Sequence, residues 1–319
     1  MIRLTDMTVS CLDAYDPSSG QIQALIGYLI EAGVDTIELT TNALHKLGTP
    51  DPQGKYILRI RQPDEALSYP EFSRFICRRG GWKPSSGIVS EIQANDIREI
   101  NFLSQYGVLE NIRIVGFDDV LCHNFERVFE SVKKQVRGRI EFCPEDSLFC
   151  ATALAVEWAL SGGTDIVASF GGIGGKASLE EVMVALRVVK RYKSTMSFSV
   201  FPKLAKLIEQ ITGVSFSDKK AVIGEGIFDV ESGIHVDGIV KNPQMYEPYA
   251  PELIGKTRKI IVGKHSGHKA IAVKLKELGL SPEEYQLDSL LDAVHSTSIR
   301  KTASLSDAEF MELARMHRK

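Results

Sequence analysis

Residues 139–182 read RIEFCPEDSLFCATALAVEWALSGGTDIVASFGGIGGKASLEEV, and the order of their patterns decides the fold. A short apolar run, Arg139 to Phe142, passes through a polar turn into a helical segment, Ala151 to Ser161. A second short run, Asp165 to Ser169, leads to Gly171, Gly172, Gly174 and Gly175 and then to a helix opening near Ser178. Strand, helix, strand, helix with brief connections gives parallel strands joined by helical crossovers.

The same alternation extends upstream. Strands are expected at Ile2 to Thr5, Thr36 to Thr40, Tyr56 to Ile60, Gly87 to Ile92 and Asn111 to Val115. Helices are expected at Gln21 to Ala32 and Phe125 to Val136. The first of these carries Ile22, Leu25, Ile26, Leu29 and Ile30 at helical spacing and stops at Gly33. This is the (β/α)-barrel pattern. The glycine cluster at 171–175 has two readings, a phosphate cradle of backbone N–H groups or a tight strand-to-helix turn. Asp118 and Asp119, just past a strand, are either a pair of site carboxylates or caps facing solvent.

Composition excludes several classes. The chain has 319 residues, 44% of them hydrophobic and 25% charged, with a net charge of -3. That is ordinary for a water-soluble domain and offers no general attraction to nucleic acid or to an anionic membrane. Neither is expected as a partner. Five cysteines, Cys11, Cys77, Cys122, Cys143 and Cys150, show no Cys-X-X-Cys pairing, which fits a reducing cytoplasm. No signal peptide is visible at the start, and no apolar run reaches the roughly 18 residues that span a bilayer.

Residues 224–271 read GEGIFDVESGIHVDGIVKNPQMYEPYAPELIGKTRKIIVGKHSGHKAI. This stretch resembles the segment that follows the catalytic barrel in the homocitrate synthase and isopropylmalate synthase family, most closely in the homocitrate synthases of nitrogen fixation. The resemblance implies a degenerate or truncated TIM barrel at 1–215, in the mixed α/β class, followed by a mostly helical lid subdomain at 216–319. It also implies a Claisen-type condensation of acetyl-CoA with a 2-oxo acid. In the family the lid crosses to a neighbouring subunit and places a His and a Tyr over its substrates. His235 and Tyr246 match those positions and are the expected catalytic pair, acting in trans. Asp237, Lys264, His265 and Ser266 are the expected substrate and CoA contacts.

The barrel departs from the same family. Its first strand and loop resemble Asp-Thr-Thr-Leu-Arg-Asp-Gly, but here Ser10 stands at the substrate-binding Arg and Cys11 at the metal-binding Asp. The seventh-strand His-X-His pair is replaced by Cys143 and Glu145. Lys176 stands at the final metal ligand, an Asn in the family. A thiol pair, one carboxylate and an ammonium are not a donor set for Mg or Mn. Glu91 matches the fifth-strand catalytic Glu by order alone and otherwise reads as a surface or packing residue.

From Asp6 to Glu141 the chain is shorter than six barrel units of roughly 30 residues require, so a unit is expected to be missing or heavily trimmed. The proline- and glycine-broken stretch from Tyr56 to Asn111 is the expected place.

Groups that the family uses within its own barrel are lost, whereas those it lends to a neighbour are intact. The chain therefore resembles the barrel-degenerate subunit, termed alpha, that carries the C-terminal part of a two-chain homocitrate synthase. It is expected to be an acyltransferase component that is inactive alone and binds no cofactor by itself. Its partner would keep a working barrel with Mg or Mn. Two alternatives stand beside this reading: a stand-alone acyltransferase with a Cys11, Cys143 and Glu145 zinc site, and a non-catalytic regulatory or scaffold protein.

Overall fold

The computed structural model describes residues 1–80, 87–99, 109–231 and 233–319. The chain divides into two compact units, Met1–Gly224 and Glu225–Lys319. The first is a closed barrel of eight parallel strands in sequential order. The strands are β1 Arg3–Asp6, β2 Thr36–Thr40, β3 Tyr56–Arg59, β4 Phe75–Arg78, β5 Ile88–Ala94, β6 Leu109–Gly116, β7 Val136–Pro144 and β8 Asp165–Ala168. Closure is made by β1 against β8, with Leu4 opposite Ile166 and Asp6 opposite Ala168.

No strand of the barrel is missing, which corrects the expectation of a lost unit. The strand that sequence reading passed over is β4, four residues reading FICR. Lying in the proline- and glycine-broken stretch, it is defined by pairing with β3 and β5. What is trimmed is the helical layer. The helices α1 Thr8–Leu12 and α2 Ser19–Glu31 follow β1, and α3 Thr41–Leu47 follows β2. Among the described residues, no α-helix lies between β3 and β6. The β3 to β4 crossing contains only a 3-10 turn, Pro63–Ser68. Beyond β6 the pattern resumes with α4 Phe125–Gln135, α5 Ala151–Leu160, α6 Leu179–Lys190 and α7 Phe201–Thr212.

Local chemistry sets these boundaries. Ser18 and Gln21 form a reciprocal capping box at the start of α2, satisfying N–H groups that the helix leaves unpaired. Phe129 of α4, Phe142 of β7 and Trp158 of α5 meet with ring centroids 5.1–5.5 Å apart. They anchor two helices to the strand between them.

The barrel interior is unusually ionic. Arg113 of β6, fully buried, donates to Glu141 of the adjacent β7 at 2.8 and 3.0 Å and to Glu38 of β2. Because β2 and β6 lie on opposite sides of an eight-stranded ring, the second contact crosses the barrel axis. Arg59 of β3 bridges Glu38 at 2.7 Å and Glu91 of β5 at 2.9 and 2.6 Å. Toward the N-terminal end, Arg74 meets Glu141 at 2.5 Å, and Arg3 and Arg139 meet Asp165 at 2.7 and 2.5 Å. Glu91 is therefore neither a surface residue nor a free carboxylate. Burial alone would raise the pKa of Glu38, but Arg113 and Arg59 outweigh it and bring it down to about 2. Each charge is paired because an isolated one in such surroundings costs several kcal/mol.

The second unit holds a short parallel pair, β9 Asp229–Val230 and β10 Lys259–Ile260, with helices α8 Gly233–Lys241, α9 His268–Glu277, α10 Leu287–Lys301 and α11 Asp307–Met316. Its core gathers Val262, Ile271, Leu275, Leu290, Val294 and Phe310. A capping box of Ser306 and Glu309 starts α11. No helix among the described residues is long and apolar enough to cross a membrane.

Candidate functional site

In parallel barrels, chemistry sits at the C-terminal ends of the strands. On its β1, β6, β7 and β8 side the described residues of that mouth are tightly packed. Met7, just past β1, packs with Val115 of β6, Cys143 of β7 and Val167 of β8, and Cys11 leans on the group from α1. The Cys143 thiol lies 3.7 Å from the Met7 thioether. Burial pushes both the Cys143 and Cys11 thiols up to about 12, so both are neutral. Cys11 also lies hard against the glycine turn. A Cβ at Gly174 would fall 2.7 Å from its sulfur, so the positive φ of 74° there is matched by a steric need for glycine.

Over this apolar plug, Lys176 and Glu145 form an ion pair, and the Lys176 side chain is only 11% exposed. The other Glu145 oxygen accepts from Gln93 Nε2 at 2.7 Å. Burial opposes the charge on Lys176, but the nearby Cys143 sulfur and the Glu145 carboxylate hold its pKa above the ordinary lysine value. Asp6 is buried and accepts from the Thr8 backbone N–H at 2.9 Å and the Thr8 hydroxyl at 2.6 Å. Thr8 in turn accepts from the Phe170 N–H at 2.7 Å. Burial, only partly offset by the Thr8 bonds, pushes Asp6 up to about 7.

These groups do not make a site for Mg or Mn. Hard cations need several free oxygen donors. Both Glu145 oxygens and both Asp6 oxygens are already engaged, the sulfurs are neutral, and a fixed ammonium stands among them. Ser10, at the position where a substrate-binding Arg was sought, donates to the Glu38 carbonyl at 3.3 Å.

The glycine turn is likewise committed to structure. Gly171 N–H donates to Glu180 of α6 at 2.8 Å. Gly175 accepts from the Asp146 N–H at 2.9 Å. Asp119 accepts from the Ile97 N–H at 3.2 Å, a capping role.

The second unit presents the opposite picture. His235 is exposed on α8, and Tyr246 is 47% exposed. Their rings meet edge to face, with centroids 5.9 Å apart and planes at 67°. Sequence reading linked them only through spacing, and the structure brings them together. The tyrosine ring lies on Gly238, where a Cβ would fall 2.2 Å from its Cζ. Ile234 and Met245, 80% and 76% exposed, flank the pair.

The other expected contacts divide. Asp237 is held between Lys241 at 2.9 Å and Lys269 at 2.7 Å. Hydrogen bonds from Lys269 and Lys241 lower its pKa. The buried Ser266 hydroxyl accepts from the Gly263 N–H at 3.0 Å and fixes the turn. Lys264 and His265 point into solvent, while their backbone N–H groups donate to Ser298 at 3.1 Å and Glu231 at 3.0 Å.

Residues 222–302 match a family described as homocitrate synthase post-HMGL domain-like. Along nearly its whole length the chain is 28% identical to the homocitrate synthase omega subunit of Clostridium pasteurianum, covering 95% of this chain and 91% of the relative. It is 30% identical to 2-isopropylmalate synthase 2 of Caldanaerobacter subterraneus subsp. tengcongensis, covering 89% of this chain and 74% of that one. Among solved structures, hydroxymethylglutaryl-CoA lyase from Pseudomonas aeruginosa superposes with a TM-score of 0.53 at 15% identity, over 67% of this chain and 94% of that one. This last likeness bears on the barrel fold. With an eight-stranded barrel and relatives of this length and identity, the chain belongs to the homocitrate synthase and isopropylmalate synthase family.

Proposed function

We propose that this chain is one subunit of a two-chain homocitrate synthase, contributing His235 and Tyr246 to the active site of a partner whose barrel is intact. One observation carries the reading. The chain's own barrel mouth is packed with Met7, Val115, Cys143 and Val167 beneath the Lys176–Glu145 pair, while His235 and Tyr246 stay exposed and in contact. The relative named as an omega subunit supports a division of the enzyme between polypeptides.

The reaction of the complex is a condensation in which acetyl-CoA loses a methyl proton and its carbon attacks the ketone of 2-oxoglutarate. Hydrolysis of the thioester then releases homocitrate and CoA, a product suited to nitrogenase cofactor synthesis. His235 moves a proton at the acetyl methyl or at the developing enolate oxygen. The Tyr246 hydroxyl donates to the oxyanion. Lys264 and His265 face solvent as contacts for the phosphates of CoA, while Asp237 and Ser266 hold the segment in shape. A divalent ion, Mg or Mn, would be held in the partner's barrel and would polarise the ketone there.

The test is to purify the chain and the product of a neighbouring gene separately and then together, and to follow CoA release from acetyl-CoA with 2-oxoglutarate. Turnover only in the mixture is expected. Full turnover by this chain alone would overturn the reading in favour of a stand-alone enzyme, and none in any mixture would favour the scaffold.

A further inference from the structure

We propose that Lys176 is a resident cation that staples the C-terminal ends of β5, β7 and β8 together, so that a complex of unlike chains carries one divalent metal per pair of barrels. The stoichiometry rests on the two-chain reading. The staple rests on this chain alone.

The staple joins three strands. Gln93 lies on β5, Glu145 just past β7 and Lys176 on the turn after β8. Glu145 binds Lys176 through one oxygen and Gln93 through the other. Gln93 Nε2 also donates to Asn95 Oδ1 at 2.8 Å. The backbones follow the side chains. Glu145 and Lys176 form an isolated antiparallel bridge. The Asp146 N–H donates to Gly175 at 2.9 Å, and the Glu145 N–H to Gly116 at 3.2 Å.

Beneath this staple the wall is neutral sulfur and branched aliphatic carbon, leaving Glu145 as the negative partner that an ammonium requires. Replacing the ammonium by a neutral side chain leaves that carboxylate with Gln93 alone, and supplying Mn does not restore the balance because the other donors around it are soft thiols and a thioether. The charge that such a mouth elsewhere draws from solution is here part of the chain.

The first experiment uses the full chain alone. Thermal unfolding should be the same with excess chelator and with millimolar Mn. Lys176→Met should lower Tm by about 3–6 °C, and Mn should not recover it. A saturable rise in the wild-type Tm with Mn, or a Lys176→Met variant as stable as the wild type, would overturn the staple. The second experiment is native mass spectrometry of the complex with its partner in Mn. One Mn per pair of unlike chains is expected, and two would overturn the inference. If no complex forms, the two-chain reading falls, while the melting experiment still judges the staple.

Discussion

Tyr246 lies across Gly238 of α8 with its ring edge to face with that of His235, and a Cβ at Gly238 would force the tyrosine ring to shift. Glycine inside a helix otherwise costs about 0.5–1 kcal/mol relative to alanine. The contact therefore explains a residue that local propensity disfavours.

Gly238→Ala should accordingly separate stability from activity. The variant should be as stable as the wild type or slightly more so, since the helix gains. In the complex its turnover should fall by about tenfold or more as Tyr246 is pushed away from His235. Chemical denaturation beside a CoA-release assay checks both halves. A variant with full turnover would show that the tyrosine position is not used.

Removing Arg113 should cost about 3–5 kcal/mol, because Glu38 and Glu141 lose a fully buried partner. Urea unfolding of Arg113→Met measures it. The same variant should unfold at higher pH during acid titration. In the wild type, Glu38 is depressed to about 2, so its stabilisation is present above the unfolded value and lost only as pH falls through about 2. Without Arg113 that loss begins earlier. An unchanged acid midpoint would mean that Arg59 alone holds the carboxylate.

Glu180 supplies the opposite sign. Burial, offset only in part by Lys220 and the Gly171 N–H, pushes it up to about 7. The folded chain thus holds the proton more tightly than the unfolded one, and stability drops as pH rises from about 4.5 through 7, levelling above. Glu180→Gln should keep the bond to Gly171 and flatten that slope. It should be more stable than the wild type at pH 8 by about 1–3 kcal/mol and little different at pH 4.5. Denaturation midpoints across that range check it, and a gain independent of pH would refute the assignment.

The parts legible in the sequence were those set by local pattern. The α2, α4 and α5 boundaries follow their apolar spacing and caps to within two residues. His235 and Tyr246 were named together only through the family resemblance, and their ring contact is what the structure adds. The β4 strand was missed because the prolines and glycines on either side of it, from Pro63 to Gly87, break the alternation, so its pairing with two neighbours is what defines it. The ionic barrel interior was missed for another reason. Glu38, Arg59, Glu91, Arg113 and Glu141 each sit in a strand beside apolar residues, which was a visible signal. Read one strand at a time, each resembles an outward-facing residue. Closure of the ring turns them toward one another. Cys11, Cys143, Glu145 and Lys176 were singled out only against the family resemblance, and their packing into a plug and staple depends on contacts among β1, β5, β6, β7 and β8.

The most direct test of chemistry lent in trans is a mixed assay of wild-type partner with His235→Ala. The variant should fold, assemble with the partner and still lower the turnover of the complex by about a hundredfold or more, the usual scale for losing a general acid or base. Assembly at full stoichiometry with near wild-type turnover would contradict the account.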